Sequence, residues 1–203
     1  MPFKKLHVDI KEKLTSLNIT TPTPFQKASI PVIKSGSNVF CTASVGSGKT
    51  TSLVLTTLHK LKFEAIGNAP RAIILAENNE KVLELYNEFL KYTRHHPLRV
   101  YFGDERLHID VIKSEIFEGI DVLIATPKIV NKLLLLEGLS ISQVKIFCID
   151  DAEFLNQNSA YTAVMAITQS INKCQFVIYS EKMPPILKRL EDYFMKYAKF
   201  VSV

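Results

Sequence analysis

Seven short apolar runs recur along this chain, and the stretches around them carry a different period. The runs are NVFCTA (38–43), AIILA (72–76), RVYF (99–102), DVLIAT (121–126), KIFCID (145–150), QFVIYS (175–180) and the final KFVSV. Most are continuously apolar rather than alternating, the pattern of strands buried on both faces. Helical periodicity predicts helices near 8–17, 49–61, 79–93, 108–117, 128–136, 159–170 and 185–196. Strands alternating with helices of these lengths predict an α/β doubly wound domain, a mostly parallel sheet of about seven strands with helices on both faces. A hydrophobic content of 47% over 203 residues is enough for the core of one generous domain. The expected organisation is therefore a single domain over 1–203. It has an N-terminal addition at 1–37, a helix followed by the proline-punctuated loop TTPTPFQ, and a core at 38–203.

Composition excludes several classes. No apolar run approaches a membrane span, and the start, MPFKKLHVDI, has no signal-peptide core. The expectation is a soluble intracellular protein without membrane association, with cytoplasm and nucleus both open. Lys and Arg number 25 against 20 Asp and Glu, a net charge of +5. That is compatible with a polyanionic partner, but the charges are scattered and a solvated surface accounts for them equally. Cys41, Cys148 and Cys174 stand alone in apolar runs without CxxC spacing, which predicts reduced core thiols. His95-His96 before Pro97 has no Cys or acidic partner at zinc spacing and reads as a helix-end loop. The basic-aromatic stretch LKRLEDYFMKYAKF reads as a helix on the sheet with solvated lysines, not as a nucleic-acid arm.

The segment ASVGSGKT (43–50) leaves one predicted strand and opens a predicted helix. Gly46 and Gly48 let the backbone curl so that successive N–H groups point at a phosphate chain. The helix N-terminus adds partial positive charge. In this setting Lys49 reaches the β- and γ-phosphates and the Thr50 hydroxyl ligates Mg²⁺. The candidate cradle is Ala43, Ser44, Val45, Gly46, Ser47, Gly48, Lys49, Thr50 and Thr51. The bland alternative is a glycine-rich turn that happens to end in Lys-Thr; GSGKT between strand and helix argues against it. The general pattern places Gly where Ala43 stands.

The run KIFCIDDAEFL (145–155) climbs through apolar residues and stops on Asp150 and Asp151. Two carboxylates there either cap a turn or hold something positive. In open α/β sheets ligands bind beyond the carboxyl ends of the strands. A phosphate loop also needs carboxylates on a neighbouring strand end, to hold the metal through water and orient the attacking water. Asp150 is assigned to the metal and Asp151 to the water, so Lys49, Asp150 and Asp151 are the catalytic candidates, with a nucleotide and Mg²⁺ the expected cofactors.

Further segments, in order, make the chain resemble the first RecA-like domain of DEAD-box RNA helicases. PTPFQ (22–26) matches that family's Pro-Thr-x-x-Gln adenine element, AxxGxGKT its phosphate loop with Ala first, DDAE (150–153) its DEAD tetrapeptide, and IATP (124–127) the start of its TPGR element. SEKMPP (180–185) falls on its Ser-Ala-Thr element. The resemblance implies that Gln26 reads the adenine edge, which an amide can do as donor and acceptor. It also brings Thr23 into the nucleotide site and makes Phe3 the aromatic that stacks on the base. The RNA contacts it implies are Glu80, Gly103, Thr126, Pro127 and Lys128.

The departures cluster. The family's Pro-Thr-Arg-Glu-Leu becomes ENNEK (77–81), its Gly-Arg after Thr-Pro becomes Lys128-Ile129, and its paired glycines become Gly103-Asp104. Ala-Thr of the coupling element becomes Glu181-Lys182, and Asp151 replaces a glutamate one methylene longer. A misplacement near 1 Å can cost roughly a hundredfold in rate. Each lost arginine removes a charge-assisted phosphate contact, so RNA binding is expected to be weak and less salt-dependent. The chain stops where the family's first domain ends, and the expected partner is a second RecA-like domain in cis or trans. In the family that domain supplies arginine fingers, worth roughly 10³–10⁵ in rate, so this chain alone should turn over ATP very slowly and unwind nothing. Three readings stay open: the ATP-binding domain of an RNA helicase, a degenerate nucleotide-binding or scaffold module of an RNA-processing complex, and another phosphate-loop class such as a nucleotide kinase.

Overall fold

Every apolar run becomes a strand in the computed structural model, which describes residues 2–203. The strands are β1 (Val39–Thr42), β2 (Ala72–Leu75), β3 (Val100–Phe102), β4 (Val122–Ala125), β5 (Ile146–Ile149), β6 (Gln175–Ser180) and β7 (Lys199–Ser202). They pair in one sheet of order β3-β4-β2-β5-β6-β1-β7, and every pairing is parallel. The helices are α1 (Val8–Ser16), α2 (Pro24–Lys34), α3 (Lys49–Leu61), α4 (Asn79–Thr93), α5 (Ile109–Glu118), α6 (Pro127–Leu135), α7 (Asn158–Gln169) and the short α8 (Pro185–Lys188).

The period of two along each strand divides the core. Val39, Cys41, Ile74, Ile124, Cys148 and Val177 face one layer with residues of α1 to α4, whereas Phe40, Ile73, Leu123, Phe147 and Ile178 face the other with α5 to α8. Both faces are therefore covered, which is why the inner strands are continuously buried, whereas the edge strand β7 is largely exposed. No helix among the described residues is long and apolar enough to cross a membrane.

The expected loop TTPTPFQ gives way early to helix α2. Pro24 occupies its first turn, where a missing N–H costs nothing. Thr23 and Gln26 close a reciprocal cap: Gln26 N donates to Thr23 Oγ1 (3.1 Å) and Thr23 N to Gln26 Oε1 (3.0 Å). Pro31 forgoes one backbone bond inside the helix, which survives on the burial of Phe25, Ile30 and Ile33. At the other end, the expected helix over 185–196 is cut to α8 and a 3₁₀ segment, Arg189–Asp192. Leu187, Leu190 and Met195 are all buried. Met195 N bonds back to Leu190 O (3.0 Å), which draws the chain out of the helix at Tyr193.

At the opposite end of the sheet from the strand carboxyl termini, Asp121 is wholly buried between two arginines. Its Oδ1 accepts from Arg71 Nη2 (2.8 Å) and Ile66 N (3.0 Å), and its Oδ2 from Arg99 N (3.0 Å) and Arg99 Nε (2.9 Å). Burial alone would raise this carboxyl, but the Arg99, Ile66 and Arg71 hydrogen bonds outweigh it and hold it below its ordinary value.

Candidate functional site

Strand order decides what meets at the site. β6 lies between β1 and β5, so the loop after β1 and the aspartates after β5 stand two strand spacings apart, roughly 10 Å. The loop leaves β1 with Ala43 N donating to Ser180 O (3.1 Å) and folds through a Ser47 N to Ser44 O turn (3.3 Å). Gly46 (φ +77°) and Gly48 (φ +94°) hold left-handed backbone, and Gly48 starts α3. These are conformations that other L-residues adopt only at a cost.

A cavity of about 640 Å³ opens beside this loop. One wall is Val45, Gly46, Gly48, Lys49, Thr50 and Thr51, and the other carries Asp150 and Asp151. Lys49 is buried, and its Nζ donates to Ala43 O (2.8 Å) and Ser44 O (3.2 Å). Asp150 is buried as well, with an Oδ1 that finds no hydrogen-bond partner. Burial, and then the charge of Asp151, push its carboxyl up to about 7, against the pull of Lys49 and Lys81. Asp151 sits in the left-handed region (φ +43°) and starts the 3₁₀ segment Ala152–Asn156. Aspartate is among the few residues that tolerate that conformation.

The remaining predicted nucleotide residues lie off the cavity wall. Ala43 is buried behind the loop and Ser44 is exposed. Ser47 turns its carbonyl back to accept from Thr23 Oγ1 (2.7 Å), which ties the start of α2 to the loop. Gln26 packs behind Gly48 so closely that a Cβ there would lie 2.6 Å from Gln26 Nε2. Thr23 and Gln26 thus brace the loop from behind. Phe3 is not brought to the cavity; it is buried in the apolar layer with Leu6 and Ile10.

Four of the residues expected to touch RNA, Gly103, Thr126, Pro127 and Lys128, stand just after β3 and β4. Thr126, Pro127 and Lys128 line a second cavity of about 460 Å³ together with Glu77 and Glu105. Gly103 is buried, and a Cβ there would come within 3.0 Å of Ile129 Cγ2, so close packing against α6 explains the glycine. Glu80 is exposed in the first turn of α4. Asp104 turns inward, accepting from Asn79 Nδ2 (2.9 Å) and Arg106 Nε (2.9 Å).

Three sets of residues escaped the sequence reading. Lys81, Glu84, Glu88 and Lys91 of α4 line the first cavity. Their spacing is the helical stripe of a charged face, a signal that ordinarily marks solvent. Glu153 reaches the loop after β6, its Oε1 accepting from Glu181 N (2.5 Å). Glu105 meets Thr126 across the sheet end.

The unpartnered oxygen of buried Asp150, in a cavity that Thr50 also lines, is the donor chemistry that a hard divalent cation takes. The buried Lys49 ammonium, with only backbone carbonyls as partners, and the left-handed glycines fit a phosphate chain. The residues present therefore fit both Mg²⁺ and a nucleotide.

The family model of the DEAD/DEAH box helicases matches residues 23–187. The chain belongs to this family. Among curated DEAD-box relatives, an ATP-dependent RNA helicase DeaD of Buchnera aphidicola (subsp. Schizaphis graminum) is 26% identical over 205 residues, covering 99% of this chain and 33% of the relative. An ATP-dependent RNA helicase DBP7 of Meyerozyma guilliermondii is 31% identical over 169 residues, covering 78% of this chain and 22% of the relative. This DEAD-box chain thus spans a third or less of those relatives' length. Its fold matches a DEAD box protein from the hyperthermophile Methanococcus jannaschii with TM-score 0.86 and 20% identity, over 98% of this chain and 54% of that one. It also matches the yeast DEAD-box splicing factor Prp28 with TM-score 0.85 and 22% identity, over 96% and 48%. The doubly wound RecA-like architecture expected from the sequence is the observed one.

Proposed function

We propose that this chain is the first RecA-like domain of an ATP-dependent RNA helicase, binding Mg-ATP between the loop after β1 and the aspartates after β5. One observation carries the reading. A single cavity is lined by buried Lys49, by Thr50 and by Asp150, whose Oδ1 has no hydrogen-bond partner. On binding, the triphosphate takes over the Lys49 ammonium from the carbonyls of Ala43 and Ser44, and the N–H groups at the start of α3 face its oxygens. Asp150 and the Thr50 hydroxyl are the groups that would hold Mg²⁺. When bound, the metal supplies Lewis-acid neutralisation of phosphate charge. Asp151 orients the attacking water, reached from its left-handed backbone. Gln26 and Phe3 are assigned to the adenine through the family resemblance. Gln26 sits one residue layer behind the loop and Phe3 lies inside the core, so adenine contact requires the edge of this layer to rearrange.

RNA is the proposed polymer, contacted by the ends of β3, β4 and α6, and the second RecA-like domain is the proposed partner that completes the site in cis or trans. The test has two parts. A fluorescent ATP analogue should bind this chain, with K49A abolishing binding. ATP turnover by the natural full-length protein should then rise with added RNA. Equal binding by K49A sinks the nucleotide site, and turnover indifferent to RNA replaces the motor with a nucleotide-binding scaffold.

A further inference from the structure

The end of β4 and the first turn of α6 form an anion site that is already filled from within the chain. Thr126 Oγ1 donates to Glu105 Oε1, and Lys128 Nζ lies 3.4 Å from Glu105 Oε2. The carboxylate thus closes over Thr126, the residue that caps a nine-residue helix whose first position, Pro127, has no N–H to offer. The loop that carries Glu105 is itself clamped. Glu105 N donates to Asn79 Oδ1 (3.2 Å), Asn79 Nδ2 to Asp104 Oδ1 (2.9 Å), and Arg106 N to the same Asp104 oxygen (2.9 Å). The Glu105 side chain is only 30% exposed although it lies on a loop. Thr126 is 2% exposed, so its hydroxyl has little access to water as an alternative.

From this we infer that Glu105 is a built-in phosphate surrogate: its carboxylate occupies the donors of Thr126 and Lys128, and an RNA phosphate must displace it to bind this domain. The inference rests on the reading that this face takes RNA. The clamp through Asn79 and Asp104 makes the surrogate specific to this geometry, since a freely mobile glutamate would lose side-chain entropy on docking. The consequence is an RNA face held shut by a competing internal contact rather than one merely poor in arginine. Displacing the carboxylate restores one cation and one hydroxyl to the phosphate.

The test is a double-mutant cycle in the natural full-length protein, reading the affinity for a labelled single-stranded oligouridylate at two salt concentrations. E105Q keeps the shape and removes the charge, and E105A removes both. Each is expected to tighten RNA binding roughly 3- to 10-fold and to steepen the salt dependence by about one phosphate contact. E115Q, the same charge change on α5, should leave affinity within about twofold, because exposed charges at a distance are screened. In a K128A background the gain from E105Q should vanish, since the cation it releases is gone. The inference is overturned if E105Q and E115Q behave alike, if the gain persists with K128A, or if no variant binds RNA. Binding of a fluorescent ATP analogue, measured in parallel, separates the two levels. Its loss in the unmutated protein refutes the nucleotide reading, whereas intact nucleotide binding with unchanged RNA affinity refutes the surrogate alone. Thermal unfolding of E105Q and E105A confirms that each variant is folded when compared.

Discussion

Two glycines of the phosphate loop share a backbone conformation but not their surroundings, and alanine substitution separates these causes. At Gly46 (φ +77°) a Cβ would meet nothing within 4 Å, and the same holds for the off-site Gly36 (φ +85°). Alanine at either position incurs only the left-handed backbone penalty, about 1–2 kcal/mol. At Gly48 (φ +94°) the Cβ would also fall 2.6 Å from Gln26 Nε2 and 3.1 Å from Gln26 Cδ. Gln26 is 4% exposed and its Oε1 is bound to Thr23 N, so it moves only by breaking the cap of α2. A lost cap is worth about 1 kcal/mol. G48A should therefore cost about 2–3 kcal/mol, and its unfolding midpoint should lie about 2–4 °C below that of G46A for a domain of this size. The functional readout sharpens the contrast. G36A should leave nucleotide binding untouched, G46A should weaken ATP and GTP alike, and G48A should in addition lose the preference for ATP, because Gln26 is displaced. The assay is calorimetry of the three variants, followed by competition of ATP and GTP against a fluorescent analogue. Equal midpoints and equal selectivity for G46A and G48A would refute the claim that Gln26 braces this loop.

Three further outcomes are expected. D150N removes a buried carboxylate with an unpartnered oxygen, so the metal-free chain should gain about 1 kcal/mol in urea unfolding while ATP turnover by the full-length protein falls to background. D121N leaves the buried Arg71 guanidinium and the Arg99 side chain without their shared counter-charge; a loss of about 3 kcal/mol is expected by calorimetry, with nucleotide affinity of the folded chain unchanged. The Arg106 hydrogen bond holds the Asp104 carboxyl at about 2, below its ordinary 3.8. A depressed carboxyl contributes stability that is whole above about pH 4 and lost as pH falls toward 2. The urea midpoints of the native chain and D104N should therefore converge between pH 4 and 2, and parallel curves would exclude the ion pair as their cause.

The architecture was legible because its signal is redundant. Most of the seven runs are continuously apolar, as strands covered on both faces are, and each run became a strand within a residue or two. The loop after β1 and the aspartate pair after β5, which line one cavity, could be picked out because each is contiguous in sequence and each follows a strand. The errors have a different origin. Pro22 and Pro24 suggested a loop, whereas Pro24 is an ordinary first-turn residue, and burial of Ile30 and Ile33 carries α2 past Pro31. The expected terminal helix has the right period, but burying Met195 required the chain to leave it. Phe3 is a separate case: an aromatic beside Leu6 and Ile10 suits the core, the core holds it here, and its proposed adenine role requires that edge to rearrange.

The polar groups of the two faces show why one was readable and the other was not. Around the ends of β1, β5 and β6, Ser47, Asp150 and Ser180 each bury a side-chain oxygen without a hydrogen-bond partner. Such groups are costly in a folded chain, and three of them lie together where the nucleotide is proposed to bind. At the ends of β3 and β4 the balance is reversed. Asn79, Asp104, Glu105, Thr126 and Lys128 satisfy one another. That closure depends on residues 21 to 26 positions apart, brought together because β3 pairs with β4 and β4 with β2. Motif comparison could register the arginines missing from this face, but not the glutamate that had taken the place of the phosphate they would have met. A site that lacks partners is conspicuous in one segment at a time; a site that supplies its own is visible only once the strands are adjacent.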